Sequence, residues 1–340
     1  MKESNILISA IVSTYNSERF IKGKIEDLLN QTVADRLEII IINSGSLQNE
    51  ERIIREYLEN HANIKYIRTQ ERETIYKAWN RGIKNAAGKY ITNANTDDRL
   101  KNDAYEILSN ELEKHPDVAL VHADMYISDL PNQKYEEIGN AKVEIIPEFD
   151  YLVQLDRCLV FSQPMWRASL HYKDNIWFRE ELKICGDHEF EINISRNYKL
   201  MHIPLPLGVF YLDKNRSNIS HNDISAVENE KLQITADYIS EYIGAVGQNE
   251  LMSLKDKFEF STRIPIPVLR GRNIILGKLN PRVHQFTHEF VYFLMALVYL
   301  RLDNLPRAAA ISKKLLKKKK SARVKNLLTK LENKLHQVKR

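Results

Sequence analysis

Over the first 125 residues, apolar positions follow two alternating periods. Residues 6–13, 37–43, 64–68, 89–93 and 118–123 are short runs, the first two apolar at almost every position, and predict buried strands. Between them, residues 17–30, 50–60, 74–86 and 103–114 repeat with helical spacing; Phe20, Ile21, Ile25, Leu28 and Leu29 share one face of the first. The third ends at Ala87-Gly88 and the fourth ends before Pro116, ordinary helix stops. Strands and helices in alternation predict an α/β fold: a mostly parallel central sheet, helices on both faces, right-handed crossovers.

Beyond residue 125 the alternation weakens. A hairpin is predicted over 125–137, turning at Leu130-Pro131-Asn132. Helices are expected at 164–171, 186–197 and 224–243, with short strands at 200–203 and 208–212 around Pro204 and Pro206. Residues 246–281, with glycines and prolines, read as a linker. Helices then follow at 283–302, 305–318 and 322–336. The expected organisation is a domain over 1–245, halved near residue 124, a linker over 246–281, and a C-terminal helical module over 282–340.

Charge sharpens this division. Residues 251–340 hold 21 Lys and Arg against 5 Asp and Glu, although the whole chain carries only +5. Lys313, Lys314, Lys317, Lys318, Lys319 and Lys320 fall in one short stretch. Such a module suits an anionic surface, a membrane leaflet before a nucleic acid, since no nucleic-acid motif occurs; a merely solvated basic helix stands beside that reading. The longest apolar run, 290–300, is shorter than the about 20 residues that span a bilayer. Two cysteines, Cys158 and Cys185, make neither a disulfide framework nor a zinc pattern, and a reducing, cytoplasmic setting is the simplest expectation.

In parallel sheets, ligands bind beyond the carboxyl ends of the strands. Three polar clusters follow strand ends here: Thr14-Tyr15-Asn16, Asn43-Ser44-Gly45-Ser46 and Asn95-Thr96-Asp97-Asp98. The adjacent carboxylates Asp97 and Asp98 suit a hard divalent cation, Mn²⁺ or Mg²⁺, with a substrate diphosphate completing its shell; helix capping is the competing reading. Tyr15 could stack on a base, with Thr14 and Asn16 in a turn as the alternative. Asp187, in Gly186-Asp187-His188-Glu189 at a helix start, is either a general base or an N-cap. Neither a Gly-x-Gly-x-x-Gly fingerprint nor a Gly-x-x-x-x-Gly-Lys-Ser/Thr loop is present, so phosphate handling falls to metal and side chains.

Together, Ile11-Val12-Ser13-Thr14-Tyr15-Asn16, Ile41-Ile42-Asn43-Ser44-Gly45-Ser46, Ile75 to Ile83, Ala87-Gly88-Lys89-Tyr90-Ile91 and Asn95-Thr96-Asp97-Asp98 resemble family 2 glycosyltransferases of bacterial type, with the GT-A fold. The resemblance spans roughly residues 6–220 and includes Pro164 to His171 and Gly186 to Phe190. It implies an inverting transfer from a nucleotide-diphosphate sugar to the hydroxyl of a glycan or lipid-linked acceptor. It further implies donor contacts from Thr14, Tyr15, Asn43 and Asn80, a sugar or ribose contact from Asp97, a metal on Asp98 and a catalytic base at Asp187. Cell-surface polysaccharide synthesis on the inner membrane face would suit the family. Asn43 stands where many relatives have Asp, and Gly186 where many have Glu. A sugar nucleotidyltransferase, lacking here its glycine-rich loop after the first strand, and a non-catalytic nucleotide-sugar binder or scaffold are the rival readings.

Overall fold

The computed structural model describes residues 6–139, 142–144, 146, 149–160, 162–213, 224–263, 288–318, 325–326 and 329. They divide into two compact units: residues 1–151 with 158–224, and residues 152–157 with 225–340.

The first unit contains one nine-stranded sheet. Its first half is the expected alternation: β1 (Ile8–Thr14), α1 (Glu18–Leu29), β2 (Leu37–Asn43), α2 (Glu50–Leu58), β3 (Ile64–Arg68), α3 (Ile75–Ile83) and β4 (Tyr90–Asn93). These four strands pair in parallel in the order β3-β2-β1-β4. All seven residues of β2 are buried, because helices cover both faces. Ile8, Val12, Ile39 and Ile41 face a core shared with Ile21, Ile25 and Leu28 of α1.

The remaining strands are β5 (Arg99–Leu100), β6 (Val118–Ser128), β7 (Lys142–Glu144), β8 (Met165–Arg167) and β9 (Lys199–Tyr211), with α4 (Ala104–Lys114) before β6. Two expectations change. Residues 164–171 form not one helix but β8 followed by a single turn, Ser169–Tyr172. β8 lies antiparallel between β4 and β6 and joins the two halves of the sheet. Residues 199–211 are one strand rather than two, parallel to β6. Pro204 and Pro206 fit because the β6–β9 ladder is irregular there, with register shifts on both sides of Asp124. A proline costs no ladder hydrogen bond at a bulge. The hairpin forms with a longer loop: β6 is answered by β7.

Two short helices, α5 (Tyr151–Asp156) and α6 (Ser169–Tyr172), precede α7 (Gly186–Ser195) in the chain. The second unit holds α8 (Ile224–Ala245), α9 (Gln248–Arg263), α10 (His288–Arg301) and α11 (Leu305–Lys318). Here α9 occupies the first part of the segment read as a linker, whose residues 264–281 lie outside the described ones. Residues 290–299 of α10 are buried at every position, which explains the apolar run as helix packing. Among the described residues no helix is long and apolar enough to cross a membrane. The helix expected at 322–336 lies almost wholly outside the described residues.

Candidate active site

Parallel register brings the strand-end clusters to one edge. Thr14 is level with Asn43, and Ile11 with Asn93. The loops after β1 and β2 are sewn together by Glu50, the first residue of α2 and fully buried. Its Oε1 accepts the Ser17 N–H at 2.6 Å and the Thr14 hydroxyl at 3.4 Å, and its Oε2 accepts the Ser46 hydroxyl at 2.7 Å. Gly45 holds φ +63°, and a Cβ there would lie 2.9 Å from the Glu71 backbone, so glycine is required.

This network fixes the donor-side candidates in different ways. Thr14 is buried with its hydroxyl on Glu50. Tyr15 is half-buried, with the Arg72 guanidinium 4.2 Å over its ring. Arg72 borders a cavity of about 380 Å³ lined also by Arg68, Lys77 and Arg81. Asn43 is fully buried; its Oδ1 accepts the Ser46 N–H at 2.9 Å and its Nδ2 donates to the Tyr66 hydroxyl at 3.1 Å. Asn80 is buried and clamps α3 to the segment before α7: Nδ2 donates to the Phe178 carbonyl (2.8 Å) and Glu180 (3.0 Å), and Oδ1 accepts the Phe178 N–H (3.2 Å). Asn43 and Asn80 therefore spend their amides on the scaffold.

The two adjacent aspartates part company. Asp98 is 1% exposed. Its Oδ1 accepts the Tyr211 N–H at 3.1 Å, and its Oδ2 accepts Asn95 Nδ2 at 3.2 Å together with the Ser162 hydroxyl. It ties the loop after β4 to the end of β9 and to the segment before β8. Burial pushes its pKa up, against the pull of Ser162 and Lys24. Asp97 is partly exposed. Burial and then the Asp98 carboxylate push it up to about 7. Two neighbouring carboxylates that resist joint ionisation fit a divalent cation, which removes the repulsion. Among the described residues no three His, Cys, Asp or Glu side chains form a metal cluster, so phosphate and water oxygens would complete the shell.

Asp187 lies in the first turn of α7, where the helix dipole favours a carboxylate. Its Oδ1 accepts the His188 N–H at 2.8 Å and lies 3.4 Å from the Tyr76 hydroxyl. That hydroxyl has one proton, which goes to the nearer Ile184 carbonyl at 2.5 Å, so the His188 N–H is the firm donor to Asp187. Tyr76 opens α3, just past the carboxyl end of β3, so Asp187 stands at the ligand edge of the sheet. Gly186 packs on the Tyr76 ring; an added Cβ would lie 2.6 Å from Cε2, so a larger residue cannot take its place without moving the ring.

An aromatic cluster supports this corner. Trp166, Phe178 and Phe190 pack with Tyr76 and Trp79, the Phe178 and Phe190 rings stacking at 4.1 Å. His171 completes it: Trp166 Nε1 donates to its Nε2 at 2.7 Å, so the ring proton is on Nδ1 and faces the Ile176 carbonyl at 2.6 Å. Burial pushes His171 down to about 4, so it stays neutral and structural. His188 is buried beside Asp187. Sequence reasoning missed Glu50, Tyr76, Ser162 and the Tyr211 N–H, since their roles arise from loop contacts across long sequence separations.

Residues 9–168 match the model of the family described as glycosyl transferase family 2. Over 233 residues the chain is 27% identical to the uncharacterized glycosyltransferase EpsJ of Bacillus subtilis, covering 67% of each chain. It is 34% identical to the chondroitin synthase of Escherichia coli over 116 residues, 34% of this chain and 17% of that one. Among solved structures, residues 1–349 of TarS from S. aureus superpose with a TM-score of 0.53 at 17% identity over 92% of both chains. The chain therefore carries a family 2 glycosyltransferase domain, and its α/β unit has the GT-A fold. That domain is a glycosyltransferase domain.

Proposed function

We propose that the chain transfers a sugar from a uridine-diphosphate sugar, with inversion, to an acceptor hydroxyl in surface-polysaccharide synthesis. The observation that carries this reading is a single sheet edge bearing the partly exposed Asp97 and, beside Tyr76, the partly exposed Asp187. TarS has been crystallised with UDP and with UDP-GlcNAc, at TM-scores of 0.51 and 0.52, which supports the class of donor. Chondroitin synthase and the minor teichoic acid protein GgaB of Bacillus subtilis, 29% identical over 115 residues, support the class of product.

In this reading Tyr15 offers its ring to the nucleobase, with Arg72 beside it. Asp97 would hold Mn²⁺ or Mg²⁺ against the donor diphosphate, while Asp98 orients the loop from inside. The bound cation would supply Lewis-acid stabilisation of the leaving diphosphate. Asp187 accepts the proton of the acceptor hydroxyl as that oxygen attacks the anomeric carbon opposite the leaving group. The His188 N–H holds Asp187 in orientation, and Tyr76 anchors the start of α7 through the Ile184 carbonyl. One displacement inverts the centre, and no side chain becomes glycosylated. Incubation with a panel of nucleotide-sugars, Mn²⁺ and simple glycan acceptors should release UDP from at least one UDP-sugar. Release only from a non-uridine donor would overturn the donor assignment, and formation of a nucleotide-sugar with release of pyrophosphate from a sugar phosphate and a nucleoside triphosphate would favour the nucleotidyltransferase.

The domain with its basic helical module is proposed to work on an anionic membrane face. Lys313 and Lys314 are exposed on α11, while Ile311 and Leu315 pack inward. The full chain should co-sediment with liposomes rich in anionic lipid at low salt and be released as salt rises. Equal recovery with neutral and anionic liposomes would dismiss the idea.

A further inference from the structure

The last residue of β4 is Asn93, at the carboxyl edge of the sheet and two positions before Asn95. Parallel pairing sets it level with Ile11 of β1, so the two share a face. That face is the one α3 covers, since a Cβ added to Gly82 would lie 2.5 Å from Ile11 Cγ2. Ile91, two residues earlier on the same face, is level with Trp166 of the aromatic cluster. Asn93 thus ends an apolar row, at a place where an aliphatic residue would suit both packing and strand propensity better.

Its side-chain oxygen is not spent on the fold. Asn93 is 7% exposed, and its enclosed Oδ1 has no hydrogen-bond partner among the described residues. The other asparagines of this edge close loops. Asn16 Oδ1 accepts the Leu47 N–H and Asn43 Oδ1 the Ser46 N–H, while Asn80 donates to the Phe178 carbonyl and Asn95 to Asp98. The unpartnered atoms of Tyr105 and His122 lie inside α4 and β6, away from the edge. A buried carbonyl oxygen left unmet is costly, and at a ligand edge the partner that meets it comes from outside. A half-turn of the amide exchanges its oxygen and nitrogen, so the oxygen can face the side from which a partner approaches.

The surroundings define that partner. From Asn93 the chain runs into the aspartate loop at Asn95, and the face it shares carries α3, whose Tyr76 anchors the start of α7 at the Ile184 carbonyl. A donor held by its diphosphate at Asp97, with its anomeric carbon before Asp187, lays its sugar across the end of β4. Resting on that reading of Asp97 and Asp187, we propose that Asn93 is a specificity-determining residue. Its side-chain oxygen accepts a hydrogen bond from a hydroxyl or an amide N–H of the transferred sugar. The nucleotide and its diphosphate make no use of it.

The test is calorimetric titration of the full chain, with Mn²⁺ and without acceptor, using UDP and a panel of UDP-hexoses with and without a 2-acetamido group. Asn93→Leu keeps the branching of the side chain and removes its polar atoms. It should leave UDP affinity unchanged and weaken binding of the UDP-sugar by about five- to hundredfold. Its melting temperature should equal or exceed that of the wild type, because an apolar group of the same shape replaces an unmet polar one. Asn93→Ala carries the binding measurement if the Leu variant does not fold. Loss confined to acetamido sugars assigns the bond to the amide N–H, and loss with plain hexoses assigns it to a hydroxyl. Unchanged UDP-sugar affinity overturns the inference, and a lowered melting temperature beside it would place the amide in the service of the fold. Equal loss for UDP and UDP-sugar also overturns it, since the residue then serves the nucleotide. A wild type that binds UDP but no UDP-sugar overturns the inference alone. One that binds neither overturns the reading of the edge itself, and the inference with it.

Discussion

Asp187→Asn should lower sugar transfer by about 10²–10⁴-fold, the range over which a positioned base contributes. The expectation follows from geometry. Asp187 Oδ1 takes a hydrogen bond from the His188 N–H at 2.8 Å and lies 3.4 Å from the Tyr76 hydroxyl. Asn retains an oxygen for this donor, so the start of α7 should stay in place. What it loses is the capacity to accept a proton. Because the base acts only in the transition state, kcat should fall and the donor KM should barely move. The measurement is steady-state kinetics of UDP release with donor and acceptor varied separately, with melting temperature as the control. His188→Ala keeps the backbone N–H that holds Asp187, so per folded molecule its activity should stay far above that of the Asn variant. A crippled His188→Ala beside an active Asp187→Asn would move the base to the histidine.

How far the fold could be read in advance depended on the kind of order involved. The strands β1 to β4 and their helices are local patterns, and the register that puts Thr14 beside Asn43 follows from parallel pairing. The second half is built from long-range contacts. β8 is three residues long, too short for a period, and its strand identity comes from β4 and β6 on either side. β9 was obscured by Pro204 and Pro206, which interrupt a pattern but sit where the ladder with β6 is irregular. The glycines and prolines that suggested a linker after residue 246 are concentrated beyond Arg263, outside α9.

The site was legible as a set of residue types at strand ends, less so as a division of labour. Asn43 and Asn80 sit among the right neighbours, yet their amides close loops. Nothing local distinguishes an asparagine that faces a ligand from one that braces a turn. Lys24 did leave a signal, because it interrupts the apolar stripe Phe20-Ile21-Ile25-Leu28 at a position where helical spacing predicts burial. A lysine on that face must either reach out to solvent or serve a buried charge, and here it meets Gln163 inside.

The sharpest expectation concerns the aspartate pair, where replacement of either residue should damage the enzyme by a different route. Asp97 is partly exposed, and its Asn variant should lose Mn²⁺ binding and metal-dependent turnover while melting close to the wild-type temperature. Asp98 is enclosed by three donors, the Tyr211 N–H, Asn95 Nδ2 and the Ser162 hydroxyl. Asn at that position turns one acceptor into a donor against them, and a buried mismatch of this kind costs about 1–3 kcal/mol. Asp98→Asn should therefore show a clear fall in melting temperature, with Mn²⁺ affinity reduced less than in Asp97→Asn. Calorimetric titration with Mn²⁺ and thermal melts on both variants decide the matter. Loss of metal with an unchanged melting temperature in Asp98→Asn, and retention of metal in Asp97→Asn, would return the ligand role to Asp98. The pH dependence has a fixed sign. A carboxylate must ionise to hold a metal, and burial with the neighbouring Asp98 charge lifts Asp97 to about 7. The Mn²⁺ concentration needed for half-maximal binding should thus rise as pH falls through that value, because protons and metal compete for the same oxygens. A flat Mn²⁺ requirement from pH 8 to 6 would mean that the carboxylate meeting the metal is already ionised at pH 6, and so is not Asp97 in the surroundings described.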